Sequence, residues 1–197
     1  MTQVTPPRHS DRVLIATTPR LEIRPWTLED APAALAMLSR IEVVQWLGDG
    51  DPVLTKDLDE ARMKVETWRG RDNPPLGHWA VEVTDGGPLH GRTIGTVLLL
   101  TLPNDEHGEV EIGWHLHPDA WGNGYAPEAA TAILERGFSG GIEEIFAVTD
   151  LDNVNSMKVC TKIGMEHRGT IDKWYATPSQ FFVITREQWL AQQAERT

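Results

Sequence analysis

The residues of this chain best able to do chemistry lie in two adjacent stretches. Over residues 109–117 the sequence alternates: Val110, Ile112, Trp114 and Leu116 share one face of a strand, and Glu109, Glu111, Gly113, His115 and His117 share the other. Carboxylates and imidazoles gathered on one face are the groups a general base is drawn from. A few residues on, Trp121-Gly-Asn-Gly-Tyr-Ala126 opens a run of helical spacing, with Ala126, Ala129, Ala130, Ile133, Leu134 and Phe138 on one side. Glycines at 122 and 124 let successive backbone N–H groups converge on one point, and the helix beginning there adds its partial positive charge. That combination holds phosphate. The same glycines also serve a plain strand-to-helix turn, and spacing alone does not choose between the two. A P-loop is excluded because no Gly-Lys-Ser/Thr follows, and a dinucleotide fingerprint would need glycine where Pro127 stands.

The elements that must position these residues follow from the pattern around them. Residues 21–24 alternate and stop at Pro25, which predicts a first strand. Thr27 supplies an N-cap for a helix running to about Ser39, and a second helix spans about 55–69. Residues 78–83 and 94–100 read as a hairpin, and 109–117 as the next strand, with its apolar face in the core and its polar face lining something wetter. Pro127 and Glu128 suit the first turn of the glycine-loop helix, which Gly137, Gly140 and Gly141 close. A strand at 145–148, a helix from about 150 to 164, strand-like 174–175 and 181–185, and a last helix at 187–192 complete the chain. Strands alternating with helices and hairpins give a mixed α/β sandwich. The expected organisation is an arm over residues 1–18, one domain over 19–192 and a tail over 193–197.

Composition bounds the function. Eighteen basic against 29 acidic residues give a net charge of −11, which excludes a non-specific binder of the nucleic-acid backbone. The single cysteine, Cys160, excludes a disulfide framework and a multi-cysteine zinc site; no metal is expected, and a reducing cytoplasm is. The apolar run at 94–102 is too short to span a bilayer, so no membrane partner is expected.

The ordered set of motifs resembles the GNAT N-acetyltransferases, which bind acetyl-CoA. Their strand, Gln/Arg-x-x-Gly-x-Gly/Ala loop and helix match Trp121-Gly-Asn-Gly-Tyr-Ala126, with Trp121 in place of Gln or Arg. An aromatic residue there resembles the RimJ/RimL-like branch that acetylates ribosomal-protein N-termini. Arg20-Leu-Glu-Ile-Arg-Pro, Glu111-Ile-Gly-Trp-His-Leu, Asp152-Asn-Val-Asn-Ser156 and Lys162-Ile-Gly-Met165 match that branch in the same order. The resemblance implies a GNAT acyl-CoA N-acyltransferase fold, a twisted and mostly antiparallel sheet flanked by helices and splayed between two strands to admit pantetheine. It implies that the backbone of Trp114, His115 and Leu116 pairs with pantetheine, and that the Leu116 N–H polarises the acetyl carbonyl. The pyrophosphate would rest on Trp121, Gly122, Asn123, Gly124, Tyr125 and Ala126, and Asn153 would contact the pantetheine arm. Many members protonate the departing thiolate with a tyrosine at the position of Cys160. Here Ser156, three residues after Asn153, takes that role by the branch pattern.

An acetyl acceptor must be an uncharged amine, so a base is needed for an ammonium of pKa near 10 and less needed for an α-amine near 8. Glu111 matches the branch pattern; Glu109, His115 and Asp172 are alternatives. The tryptophans Trp26, Trp46, Trp68 and Trp79 read as core packing rather than an acceptor floor, and His78 carries no functional signal. The expected function is acetyl transfer from acetyl-CoA to a primary amine, a protein N-terminus or a small cationic amine, in a ternary complex of a monomer or homodimer. A catalytically silent acyl-CoA sensor is the rival.

Overall fold

The computed structural model describes residues 13–48, 50–105 and 107–195. One eight-stranded sheet organises them, in the order β1-β2-β3-β4-β5-β6-β8-β7: β1 Ala16–Thr17, β2 Leu21–Pro25, β3 Gly77–Val83, β4 Thr93–Thr101, β5 Val110–Leu116, β6 Glu144–Asp150, β7 Glu166–Ile171 and β8 Ser179–Thr185. Every neighbouring pair is antiparallel except β5 with β6. The helices are α1 Ala31–Leu38, α2 Ile41–Val44, α3 Leu58–Arg69, α4 Tyr125–Ser139, α5 Val154–Lys162 and α6 Arg186–Glu195. This is the GNAT fold that the motifs implied, a mixed and mostly antiparallel sheet between helical layers.

Side chains alternate across the sheet, and each face has its own core. Trp79, Val81, Val97, Leu99 and Ile112 pack against Ala129, Ile133 and Leu134 of α4, with Cys160, Ile163 and Trp189 closing that side. Ala80 and Trp26 pack on the opposite side against Ala34 and Leu38 of α1, Val43 and Val44 of α2, and Ala61, Val65 and Trp68 of α3. β3 is buried along its whole length because both faces are covered. Across this second layer a buried ion network ties three elements. Arg24 donates to Glu82 through Nε at 2.8 Å and to both oxygens of Asp30 at 2.8 Å.

The expected arm lies outside the described residues as far as residue 12. Its end is built into the sheet, since Ala16 and Thr17 pair with Ile23 and Glu22, and the domain therefore starts before residue 19. At the other end α6 runs on to Glu195, into the segment read as a tail. Trp174 and Tyr175, read as a strand, stand in the loop between β7 and β8. β7, which carried no pattern, is a largely exposed strand beside β8.

Candidate active site

The site begins where β5 and β6 separate. His117 donates to the Ile94 carbonyl at 2.7 Å and Leu102 to that of Glu109 at 2.9 Å, and the β4–β5 register between them is unbroken. The odd-numbered residues of β5 thus turn their peptide groups to β4, and Val110, Ile112, Trp114 and Leu116 turn theirs away from it, to the β6 side. β6 meets only the start of this edge, Val110↔Ile145 and Glu111↔Phe146; beyond, it runs along β8 as far as Asp150↔Ser179. The sheet opens past Glu111, and the N–H groups of Trp114 and Leu116 face the opening. The backbone of His115 does not, because it pairs with Thr96. Of the three residues expected to meet pantetheine, two have the orientation for it.

The opening leads to the glycine loop. Gly122 and Gly124 have φ of +77° and +79°, the left-handed conformation that favours glycine, and Gly124 is the N-cap of α4. Among the described residues no carbonyl accepts from the N–H groups of Gly122, Asn123, Gly124, Tyr125 or Ala126; the first bond of the helix is Glu128 N–H to Gly124 O at 3.3 Å. These are the orphan donors of a helix start, a fit for an anion. Trp121 fixes the loop to the strand, its indole Nε1 donating to the Leu116 carbonyl at 2.9 Å. Asn123 turns its side chain inward, donating to the carbonyls of Ala120 and Trp121.

Two cations flank the loop. Arg20 donates through Nη1 to the Asn123 carbonyl at 3.0 Å and pairs with Glu128 at 2.6 Å, and its guanidinium lies 4.8 Å above the Tyr125 ring. Lys162, at the end of α5, places Nζ 4.0 Å from where a Cβ on Gly124 would stand. Neither was singled out from the sequence as a site residue, although both sit in motifs that were; a charge whose target is brought near only by folding leaves no local signal.

Across the opening, Asn153 is the N-cap of α5, its Oδ1 accepting from Ser156 N–H at 3.1 Å. That cap uses the oxygen of Asn153 and leaves its amide NH₂ for another partner. Ser156 is half-buried, and among the described residues nothing bonds its hydroxyl. Cys160, one turn on, is fully buried, and burial pushes its thiol up to about 12, so it is inert as an acid or nucleophile near neutrality.

The polar face of β5 is drier than its sequence implied. Burial raises Glu111 to about 7, against a lowering hydrogen bond from Tyr175, whose hydroxyl is 2.8 Å from both carboxylate oxygens. His115 is held down to about 4 by burial, then by the charge of Lys64. Glu109 is committed elsewhere: Lys173 Nζ donates to it at 2.6 and 2.7 Å and Trp174 Nε1 at 2.9 Å, and the Lys173 bond keeps its carboxyl below the usual range. Glu109 therefore latches the 172–178 loop, and that latch sets Tyr175 over Glu111. Asp172 in the same loop is exposed. Tyr175, like Arg20 and Lys162, is a side chain at this site that sequence reasoning missed; its aromatic type reads as part of a strand. Among the described residues no group of three or more His, Cys, Asp or Glu could hold a metal ion, and no helix is long and apolar enough to cross a membrane.

Residues 20–166 match the family described as "Acetyltransferase (GNAT) domain". The chain belongs to that family. It is an acetyl-CoA-dependent N-acetyltransferase, and it is similar to YoaA of Bacillus subtilis, an uncharacterized N-acetyltransferase 30% identical over 162 residues, 81% of this chain and 87% of that protein. A GNAT-family acetyltransferase of Bacillus anthracis, solved by crystallography, superposes with a TM-score of 0.70 at 25% identity, over 89% of this chain and 99% of the other. Mycobacterium smegmatis RimJ, solved in complex with CoA-disulfide, shares the fold with a TM-score of 0.67 at 15% identity, over 88% and 89% of the two chains. Within this GNAT chain, β5 carries Glu111 and borders the opening, and the Trp121 indole ties the end of β5 to the open amides of residues 122–126.

Proposed function

We propose that acetyl-CoA lies in the β5–β6 opening with its diphosphate on residues 122–126, and that a primary amine attacks the thioester directly in a ternary complex. The observation that carries this reading is the pair of N–H groups, Trp114 and Leu116, facing an opening that ends at five unclaimed amides. The two strand donors are one pleat apart. One takes a pantetheine carbonyl and the other the acetyl carbonyl, where it stabilises the oxyanion as the amine adds; Leu116 is the donor assigned by the family pattern. Arg20 and Lys162 neutralise the phosphates.

The amine nitrogen forms a bond to the carbonyl carbon and gives its proton to Glu111, directly or through water. As the C–S bond breaks, the thiolate receives the hydroxyl proton of Ser156, which solvent replaces. A carboxylate held near 7 is matched to proton transfer at neutral pH. Such a base suffices for an α-amine, which is partly uncharged at neutral pH, so a peptide N-terminus in the manner of the RimJ/RimL-like branch is the favoured acceptor.

Release of free thiol from acetyl-CoA over a panel of amines tests the reading. Amine-dependent release is the expected result. Thermal stabilisation by acetyl-CoA with no thiol release from any amine would instead identify the silent sensor, a rival supported by Cys160 standing where many members have tyrosine.

A further inference from the structure

Two imidazoles stand in the layer between the sheet and α3. His78 on β3 is 4% exposed, and neither its Nδ1 nor its Nε2 has a hydrogen-bond partner; Nε2 of His115 on β5 is likewise buried and unpartnered. The rings are 6.0 Å apart at 77°, and the Trp68 indole stacks on His78 at 4.6 Å and meets His115 edge-on at 6.0 Å. Buried polar atoms are nearly always paired, so three orphan nitrogens in one cluster mark positions that a group outside the chain would fill. Burial keeps both imidazoles uncharged, with His115 at about 4 and His78 well below its ordinary value. A neutral imidazole offers one donor and one acceptor, the complement of a hydroxyl or a carboxamide.

The cluster adjoins the acyl site. His115 lies between Trp114 and Leu116, and on its face of β5 the half-buried row continues through Gly113, which has no side chain, to Glu111. A cavity of about 430 Å³, with Trp26, Glu66, Arg69, Asp72, His78 and Trp79 in its lining, reaches His78 from the C-terminal end of α3, and the His115 ring stands 6.0 Å behind it. The charges that hold the two rings down, Lys64 for His115 and Arg71 for His78, are both cationic, and Glu66, Arg69 and Asp72 in the cavity lining are exposed to water. In water the attraction of these two carboxylates for a second ammonium is screened, and no carboxylate among the described residues hydrogen-bonds either ring.

We infer that His78 and His115, backed by Trp68, form an acceptor-recognition subsite that takes an uncharged hydrogen-bonding group, a hydroxyl or carboxamide, carried next to the reacting amine. The inference rests on the amine acetylation proposed above, and it places polycationic amines outside the substrate range.

The test compares four acceptors of similar size: glycinamide, ethanolamine, n-propylamine and 1,3-diaminopropane. With kcat/KM calculated on the uncharged amine, so that differences in amine pKa cancel, glycinamide and ethanolamine are expected to exceed the other two by about tenfold, the ratio one net hydrogen bond supports. His78→Phe, which keeps a planar ring against Trp68, is expected to bring that preference within about twofold without changing KM for acetyl-CoA; His78→Gln is expected to restore part of it. Equal use of n-propylamine, a preference for the diamine, or a preference unmoved by His78→Phe overturns the assignment while leaving the acetyl transfer intact. The wild-type ratios decide the matter alone should His78→Phe fail to fold. Absence of thiol release with all four amines and with a peptide N-terminus would overturn the activity reading, and this subsite with it.

Discussion

The Tyr175 hydroxyl sits 2.8 Å from each oxygen of Glu111, joining the β7–β8 loop to the strand that borders the sheet opening. Its single proton serves a carboxylate that burial raises to about 7. With Glu111 as the base, kcat/KM falls as pH drops through about 7, because the protonated carboxyl cannot accept the amine's proton. Glu111→Gln is expected to lower kcat roughly 10²-fold or more. Tyr175→Phe removes the one hydrogen bond that favours the charged form, so the acidic limb moves to higher pH while the high-pH plateau is less affected. A wild-type pH profile flat from 6 to 8 would remove Glu111 from proton transfer.

The same carboxylate has a consequence for stability. Its folded value of about 7 lies above its ordinary value of 4.5, so between those limits the native chain holds a proton that the unfolded chain has lost. Stability contributed by Glu111 is therefore full below about pH 4, declines up to about 7 and is level beyond. The rise from 4.5 to about 7 corresponds to roughly 3 kcal/mol. Glu111→Gln removes this penalty: its Tm is expected to exceed that of the wild type by several degrees at pH 8 and to match it at pH 4, measured by calorimetry.

Ser156 has a free hydroxyl in the first turn of α5, while its N–H is held by Asn153. Ser156→Ala leaves that cap untouched, and its effect is therefore on chemistry: kcat is expected to fall at least tenfold with KM for acetyl-CoA within about twofold. Asn153→Ala removes the cap itself, costing about 1 kcal/mol of stability and raising KM for acetyl-CoA. Unchanged turnover in Ser156→Ala would take Ser156 out of the mechanism.

Gly122 and Gly124 provide a matched pair. Both have positive φ near +78°, so alanine at either is strained by about 1–2 kcal/mol. A Cβ on Gly122 meets nothing within 4 Å, whereas one on Gly124 points between Arg20 Nη2 at 3.5 Å and Lys162 Nζ at 4.0 Å, the place an anion would occupy. Gly124→Ala is expected to raise KM for acetyl-CoA about tenfold, and Gly122→Ala several times less at a similar loss in Tm. Equal effects of the two on KM would show that strain, and not the space between the cations, controls coenzyme binding.

Legibility in the sequence followed locality. The glycine loop was readable because positive φ and helix onset are properties of a few consecutive residues, and the apolar face of β5 because alternation is. The polar face was misjudged as wet: Glu111 and His115 are covered by Tyr175, 64 residues from Glu111, and by Trp68 of α3, and no local pattern announces such a cover. Trp26, Trp68 and Trp79 are buried as expected, at 1%, 8% and 1% exposure, whereas Trp46 stands at 36%. β7, Glu-His-Arg-Gly-Thr-Ile, is exposed at most positions and meets β8 through its backbone and the His167 ring, which contacts Gln180 and Phe182, so it has no hydrophobic period to detect. Trp174 and Tyr175 carried the aromatic preference of a strand, but Glu109 claims the indole of the first and Glu111 the hydroxyl of the second.

The Arg24–Asp30 pair belongs to the scaffold and not to the site. Asp30 accepts from Arg24 Nη1 and Nη2 at 2.8 Å each, from Thr93 Oγ1 at 3.0 Å and from Thr27 N–H at 2.9 Å, while Arg24 and Asp30 are only 6% and 8% exposed. Burial by itself would raise the Asp30 carboxyl; the bonds and charge of Arg24, with those of Thr27, outweigh it and hold it below the usual range. Its contribution to stability is thus complete above about pH 4 and lost as pH falls through the depressed folded value. Asp30→Ala leaves the buried guanidinium with Glu82 as its one carboxylate partner in this network, and breaking such a pair costs about 3–5 kcal/mol. For a chain of this size that lowers Tm by roughly 6–20 °C. None of these groups faces the β5–β6 opening, so kcat/KM for acetyl-CoA, measured below the lowered Tm and normalised to folded protein, is expected to stay within about twofold of wild type. A larger loss would mean that the α1 layer positions the acceptor and not only the sheet.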